Sequence, residues 1–278
     1  MLSLDEFKGQ FSSFEEHPMA RGGQKVVYCA EHPIYGDVVV KLLFHSDARS
    51  EREIKILQQS GFTYVPRLFE VDTIDDEGTD TTVLVEQRIN GTVLRKAISD
   101  GERYDLAHAV DFLEQSLIFI DEISQQGIVH RDIKPENIIR TEGRRYYFLD
   151  FGIARVLDAT SLTATGQGGP GTAGYCAPEQ FTGQKDRLDT RADLFSVGVV
   201  AYELVTGVNP FRKNAGNVYE VLYNTATITP IQYRLDGDER SQFMGLLSAM
   251  MSRSIIGRPT DARQALSWLN SAKITFGK

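Results

Sequence analysis

His130, Arg131 and Asp132, followed by Lys134 and Asn137 and then by Asp150, Phe151 and Gly152, gather two carboxylates, an amide and an ammonium within about twenty residues. That inventory suits the movement of a phosphoryl group from a magnesium nucleotide to a hydroxyl. One acid accepts the hydroxyl proton. A second acid and the amide hold the metal, and the lysine steadies the charged group in flight. Eight residues at fixed spacing arise by chance at a given start on the order of once in ten billion, for evenly drawn residues. The alternative reading of the same stretch is a polar loop between two strands.

The elements that must position these residues fall into two parts. From Gly22 to about Glu86 the chain carries β-branched and aromatic runs bounded by turn residues, at 26–28, 37–40, 67–71 and 82–85. One helix interrupts them near 50–59, with apolar Ile54, Ile56 and Leu57. Residues 1–16 read as a short lead-in of helical character. Residues 75–80 are too polar to pack and read as an exposed hairpin loop. Past Gly91 the character changes. Val110, Leu113, Leu117, Ile118, Ile120 and Ile123 form a helical stripe over 107–125, and later helices are expected over 190–206, 215–225, 239–251 and 260–272. The seam near 87–91 is where a ligand cleft is expected.

Composition narrows the function classes. With 278 residues, 41% of them hydrophobic, the chain can bury a substantial core. A net charge of −8 makes it a poor partner for DNA, RNA or anionic lipid, whose phosphates repel it. The apolar run 194–208 is interrupted by Glu203 and is too short to span a bilayer, so it reads as a buried helix. Asp5, Glu6, Glu15 and Glu16 are unlike a signal peptide, so a soluble, cytoplasmic protein is expected. Cys29 and Cys176 lie in no paired metal-ligand spacing and read as buried or half-buried thiols, with a redox role for Cys176 as the alternative.

With these motifs and elements in place, the chain resembles the eukaryotic-like serine/threonine protein kinases in their bacterial cytosolic style, over about residues 19–269. The resemblance implies one α+β domain over 1–278 with a bilobal fold. Its N-lobe, about 1–86, would hold a five-stranded antiparallel sheet and the family's helix C. A hinge at 87–91 would lead to a mainly helical C-lobe over 92–278. ATP with magnesium, or manganese in its place, is the implied cofactor set. Protein substrates are the implied partners, with a transient homodimer for trans-autophosphorylation, and neither nucleic acid nor membrane.

Residue by residue, the resemblance makes Lys41, after Val38, Val39 and Val40, the ammonium that neutralises the α- and β-phosphates. Glu53 is its orienting carboxylate, with Glu51 as the nearby competitor. Only twelve positions separate Lys41 from Glu53, which is short for the family. Gly22 and Gly23 stand for a glycine-rich loop that keeps only its middle glycine, and Lys25 adds positive charge beside it. By itself this stretch reads as a plain hairpin turn. Val27 and Val39 would line the adenine site, with Val39 in place of the usual alanine. Counting back from Gly91 puts the hinge contacts at Gln87 C=O and Ile89 N–H and the gatekeeper at Glu86. A shift of one residue would make Val85 the gatekeeper.

Asp132 is the implied base, Lys134 the stabiliser of the γ-phosphoryl oxygens, and Asn137 and Asp150 the magnesium ligands. Lys134 and the Gly171–Tyr175 stretch match the serine/threonine branch, where Thr172 bonds to the catalytic aspartate and lysine. Thr163 and Thr165 resemble a doubly phosphorylated T-x-T pair, with Arg131 as the phosphate's partner. Glu179 is expected to meet Arg258 in a buried bidentate pair, and Asp193 to anchor the catalytic-loop backbone. The rival readings are a nucleotide-binding scaffold without transfer, and a small-molecule phosphotransferase. Thr172, Glu179 and Arg258 speak against the latter.

Overall fold

The computed structural model describes residues 1–22, 25–44, 48–59, 61–76, 78–150, 172–181 and 188–277, with the backbone alone at 48–50, 52, 53 and 59. The described residues divide into two compact units, one ending at Asn90 and the other beginning at Gly91.

The first unit is built on strands β1 (Leu2–Ser3), β2 (Ser13–Phe14), β3 (Ala20–Arg21), β4 (Lys25–His32), β5 (Gly36–Leu43), β6 (Leu68–Asp76) and β7 (Thr79–Gln87). They form one sheet in the order β1-β6-β7-β5-β4-β2, with β3 also on β4. Among the described residues the sheet therefore has seven strands rather than the expected five, and it is mixed, because β1 runs parallel to β6. The extra strands come from the lead-in. Leu2–Ser3 and Ser13–Phe14 cover edges that would otherwise present unpaired N–H and C=O groups. Between them lies only the short helix α1 (Leu4–Lys8), started by a capping box of Ser3 and Glu6. Phe7 of α1 is buried, and Phe11 and Phe14 pack with it on one face of the sheet. The β6–β7 ladder runs on to Asp76↔Thr79, so the hairpin tip is shorter than the 75–80 loop expected.

Strand alternation gives this sheet two different faces. Val26, Tyr28, Val38, Val40, Leu42, Val83 and Val85 form the larger core with the lead-in aromatics. On the opposite face Leu43 and Leu84 pack with Ile54 of helix α2 (Ala48–Gln59). Register puts Val27 opposite Lys41 and Val39 opposite Glu86, so these four residues share the α2 face.

The second unit is mainly helical. Its helices are α3 (Leu94–Ser99), α4 (Leu106–Gln125), α5 (Pro178–Phe181), α6 (Arg191–Thr206), α7 (Val218–Thr227), α8 (Gln242–Met250) and α9 (Ala262–Lys273). Helix α6 is buried along nearly its whole length, as its largely apolar sequence requires, and packs against α4 and α8. Among the described residues no helix is long and apolar enough to cross a membrane. A small sheet orders β10 (Tyr146–Phe148), β9 (Ile138–Arg140) and β8 (Thr92–Val93). The β9–β10 hairpin is the scaffold of the candidate site.

Candidate active site

A 3₁₀ turn, Pro135–Asn137, leads directly into β9, and β10 returns antiparallel with Phe148 opposite Ile138. The Leu149 N–H donates to the Asn137 carbonyl at 2.8 Å. Asp150, the next residue, thus leaves the hairpin beside the turn that carries Asn137. His130 ties the preceding loop to the same place. Its Nδ1 accepts the Asp132 N–H at 3.3 Å and its Nε2 meets the Leu149 carbonyl at 3.1 Å. His130 is buried and serves this packing.

The backbone here is strained. Arg131 and Asp150 adopt φ of 67° and 56°, in the left-handed region that L-residues seldom occupy. Asp193 of α6 holds the first of these. It is fully buried and accepts the backbone N–H groups of His130 and Arg131, both at 2.8 Å. Burial pushes its carboxyl up from the ordinary range, against the pull of those donors.

Three side chains converge on the Asp132 carboxylate. Its Oδ2 accepts Asn137 Nδ2 at 3.0 Å and lies 3.1 Å from Lys134 Nζ. Its Oδ1 accepts the Thr172 hydroxyl at 3.2 Å, and Lys134 Nζ donates to that same hydroxyl oxygen at 2.9 Å. Asp132 is thus oriented from both oxygens, with an ammonium beside it. Because the Asn137 amide nitrogen points at Asp132, its carbonyl oxygen is the end left for a cation. One neutral and one anionic oxygen, from Asn137 and Asp150, are hard donors that fit magnesium.

The residues around this cluster are held by long-range bonds. Arg258 forks onto Glu179, Nη1 to Oε1 at 2.6 Å and Nη2 to Oε2 at 2.9 Å, with side-chain exposures of 0% and 4%. Arg258 also donates to the Ser252 and Arg191 carbonyls and lies over the Phe195 ring. Three further arrangements were not anticipated from sequence. Gln180 accepts the Ala177 N–H and donates to the Arg131 carbonyl, joining α5 to the loop that carries Asp132. Tyr175 bonds through its hydroxyl to Glu203 and Arg95, and Arg95 also reaches Glu136. Arg212 Nε and Asn209 Nδ2 donate to the Ala173 and Gly174 carbonyls. Glutamine and tyrosine are too common for their positions to have signalled these bonds. Cys176 is buried in this segment and Cys29 in the sheet, both as free thiols, and burial pushes the Cys29 thiol up.

In the first unit, Gly22 is exposed and its N–H donates to the Lys25 carbonyl at 2.9 Å, extending the β3–β4 pairing. Lys25, Val27, Val39 and Lys41 project from the α2 face of the sheet. Lys41 Nζ lies 2.7 Å from Glu86 Oε2. Glu53 was the expected partner. Its side chain lies outside the described residues, and the competitor Glu51 is exposed. Glu86 shares the Lys41 face, whereas Val85 is buried in the opposite core. The Gln87 N–H donates to the Arg67 carbonyl at 2.8 Å, and Ile89 is half-buried beyond the strand's end. Gly23, Thr163 and Thr165 lie outside the described residues.

The chain matches the protein kinase domain family over residues 18–269. It is 33% identical to the probable serine/threonine-protein kinase PknB of Corynebacterium glutamicum, over 69% of this chain and 31% of that one. It is 30% identical to the serine/threonine-protein kinase pkn2 of Myxococcus xanthus, over 93% of this chain and 32% of the relative. Over 47% of its length it is 41% identical to the serine/threonine-protein kinase PknA of Mycobacterium tuberculosis, 30% of which is covered. The chain spans about a third of the length of these curated relatives. The oxygen and nitrogen groups gathered on Asp132, and this agreement over nearly the whole sequence, lead to one conclusion: the chain belongs to the protein kinase family, among the bacterial serine/threonine kinases of eukaryotic-like type.

Proposed function

We propose that this chain is a catalytically active serine/threonine protein kinase domain that transfers the γ-phosphoryl group of magnesium-ATP to protein hydroxyls. The observation that carries the reading is the carboxylate of Asp132, met by Asn137, Lys134 and Thr172 at 3.0, 3.1 and 3.2 Å. A carboxylate so held accepts a hydroxyl proton while orienting the nucleophile, and orientation is the larger part of its work in a loose transfer. Lys134 balances charge on the moving phosphoryl group. Asn137 and Asp150 hold magnesium, which neutralises the nucleotide's phosphates when bound. Lys41 serves those phosphates from its strand, and Gly22, Lys25, Val27, Val39, Gln87 and Ile89 serve the rest of the nucleotide.

A scaffold without transfer has no chemical need for the Asp132–Lys134–Thr172 arrangement, and its relatives' names do not favour it. The substrates proposed are serine and threonine residues of cytoplasmic proteins. The chain's own Thr163 and Thr165 are included, modified between two transiently paired copies. The test is transfer from radiolabelled ATP to a generic protein substrate, with Asp132→Asn as control. Label on protein with wild type and none with the variant supports the reading. Nucleotide binding without transfer by wild type supports the scaffold, and transfer only to a small alcohol or amine sinks both.

A further inference from the structure

Lys41 and Glu86 come from neighbouring strands of one ladder. Val39 stands opposite Glu86 and Leu84 opposite Lys41, so the two charged residues are diagonal neighbours on one face. Such diagonals are within reach for long side chains. The Nζ–Oε2 separation is 2.7 Å and the side chains are only 10% and 13% exposed. Strand β7 is interior to the sheet, paired with β5 on one side and β6 on the other, where Leu68 stands opposite Glu86. The carboxylate therefore stands on rigid backbone, among Val39, Leu84 and Leu68.

We propose that Glu86 is a positioning residue for Lys41, the sheet's own carboxylate that keeps this ammonium charged and aimed along the α2 face. The inference rests on the reading of Lys41 as the cation that serves the nucleotide's phosphates. A nearly buried ammonium is driven towards its neutral form unless an anion stands beside it. An ammonium also offers three N–H donors, so a bond to Glu86 is compatible with bonds to phosphate oxygens. A charge carried on a strand holds its geometry more closely than one carried on a loop. Lysine orientation in this chain is thereby built into the β5–β7 register.

The experiment compares wild type with Glu86→Gln, which keeps side-chain length and removes the charge, and with Glu86→Asp, which retracts the carboxylate by one methylene. Lys41 is labelled with an uncharged amine-reactive reagent at fixed pH and quantified by peptide mass spectrometry. Exposed Lys96, at 70% side-chain exposure, is the internal reference. Relative labelling of Lys41 rises about tenfold in Glu86→Gln, the factor that goes with one unit of protonation equilibrium. In parallel, kcat falls by roughly tenfold or more while KM for magnesium-ATP moves less, and Glu86→Asp recovers part of the loss.

Unchanged labelling in Glu86→Gln overturns the proposal. So does a lower KM at unchanged kcat, which would make Glu86 a competitor of the phosphates. If Glu86→Gln does not fold, Glu86→Asp carries the same comparison. Wild type that transfers nothing while its Lys41 labelling responds to Glu86 sinks the kinase reading and leaves the pairing standing. Active wild type with an indistinguishable Glu86→Gln does the reverse.

Discussion

Asp193 fixes Arg131 in a conformation that arginine seldom adopts. Its Oδ1 accepts the Arg131 N–H at 2.8 Å while Arg131 sits at φ 67°. Its Oδ2 takes the His130 N–H at the same distance. The result is that the loop carrying Asp132 is pinned from beneath by a buried helix. Asp193→Asn leaves one acceptor for two donors and points an amide N–H₂ at the other. The loss is about 1–3 kcal/mol of stability, accompanied by lower kcat. Urea unfolding and steady-state transfer check both, and an unchanged midpoint contradicts the anchoring role.

Asp132→Asn keeps the side chain's size and removes its basicity. Transfer falls by about 10²–10⁴-fold if proton acceptance is the role of this carboxylate. Binding of magnesium-ATP, followed with a fluorescent analogue, stays within a few-fold, since neither Lys41 nor Asp150 is altered. Equal loss of binding and transfer would assign Asp132 a structural role instead.

Thr172 closes the triangle, with its hydroxyl donating to Asp132 and accepting from Lys134. Thr172→Ala opens both contacts and lowers kcat by up to roughly 10²-fold, the cost of misplacing a reacting group by about an ångström. Thr172→Ser restores most of the rate because it restores the hydroxyl. Equal rates for the alanine and serine variants would dismiss the triangle.

The Glu179–Arg258 pair is buried and bidentate. Glu179→Gln strands a buried guanidinium and destabilises the protein by roughly 3–5 kcal/mol. Arg258→Met strands the buried Glu179 carboxylate and costs a similar amount. Because each single change leaves the other charge unbalanced, Glu179→Gln with Arg258→Met costs less than the two losses added. Denaturant unfolding of the three variants measures this, and strict additivity would contradict a coupled pair.

Helix α4 supplies a pH dependence. Asp105 is its N-cap, and the His108 backbone N–H, followed by the His108 ring, holds the carboxyl below the usual range. A depressed folded value stabilises the protein above the unfolded pKa of about 3.9 and loses that effect as pH falls through the folded value. Asp105→Ala therefore lowers stability by about 1 kcal/mol at neutral pH. The difference from wild type closes in acid below that window. A difference that grew in acid would reverse the sign.

Local chemistry was legible in the sequence. The spacing of Asp132, Lys134 and Asn137 lies within one loop and turn, so six consecutive positions suffice to bring those groups together. Helices α4 and α6 were readable because long apolar stripes repeat over several turns, and their observed bounds differ from expectation by a single residue at the start. Helices α7 and α8 begin three residues later than expected. Asn217 caps the first, and the buried Asp238 takes the Phe243 and Met244 N–H groups ahead of the second.

The lead-in and the lysine's company were decided elsewhere. Two-residue strands carry no period, and they form only because sheet edges stand ready to pair with them. Gln180 reaches the Arg131 carbonyl, and Glu203 reaches Tyr175, across 49 and 28 positions. Glu86 meets Lys41 because two ladders align in one register. Residue type and spacing determine which groups have the chemistry to act. Which of them touch depends on register and packing, contacts between segments whose separation along the chain says nothing of their distance in space.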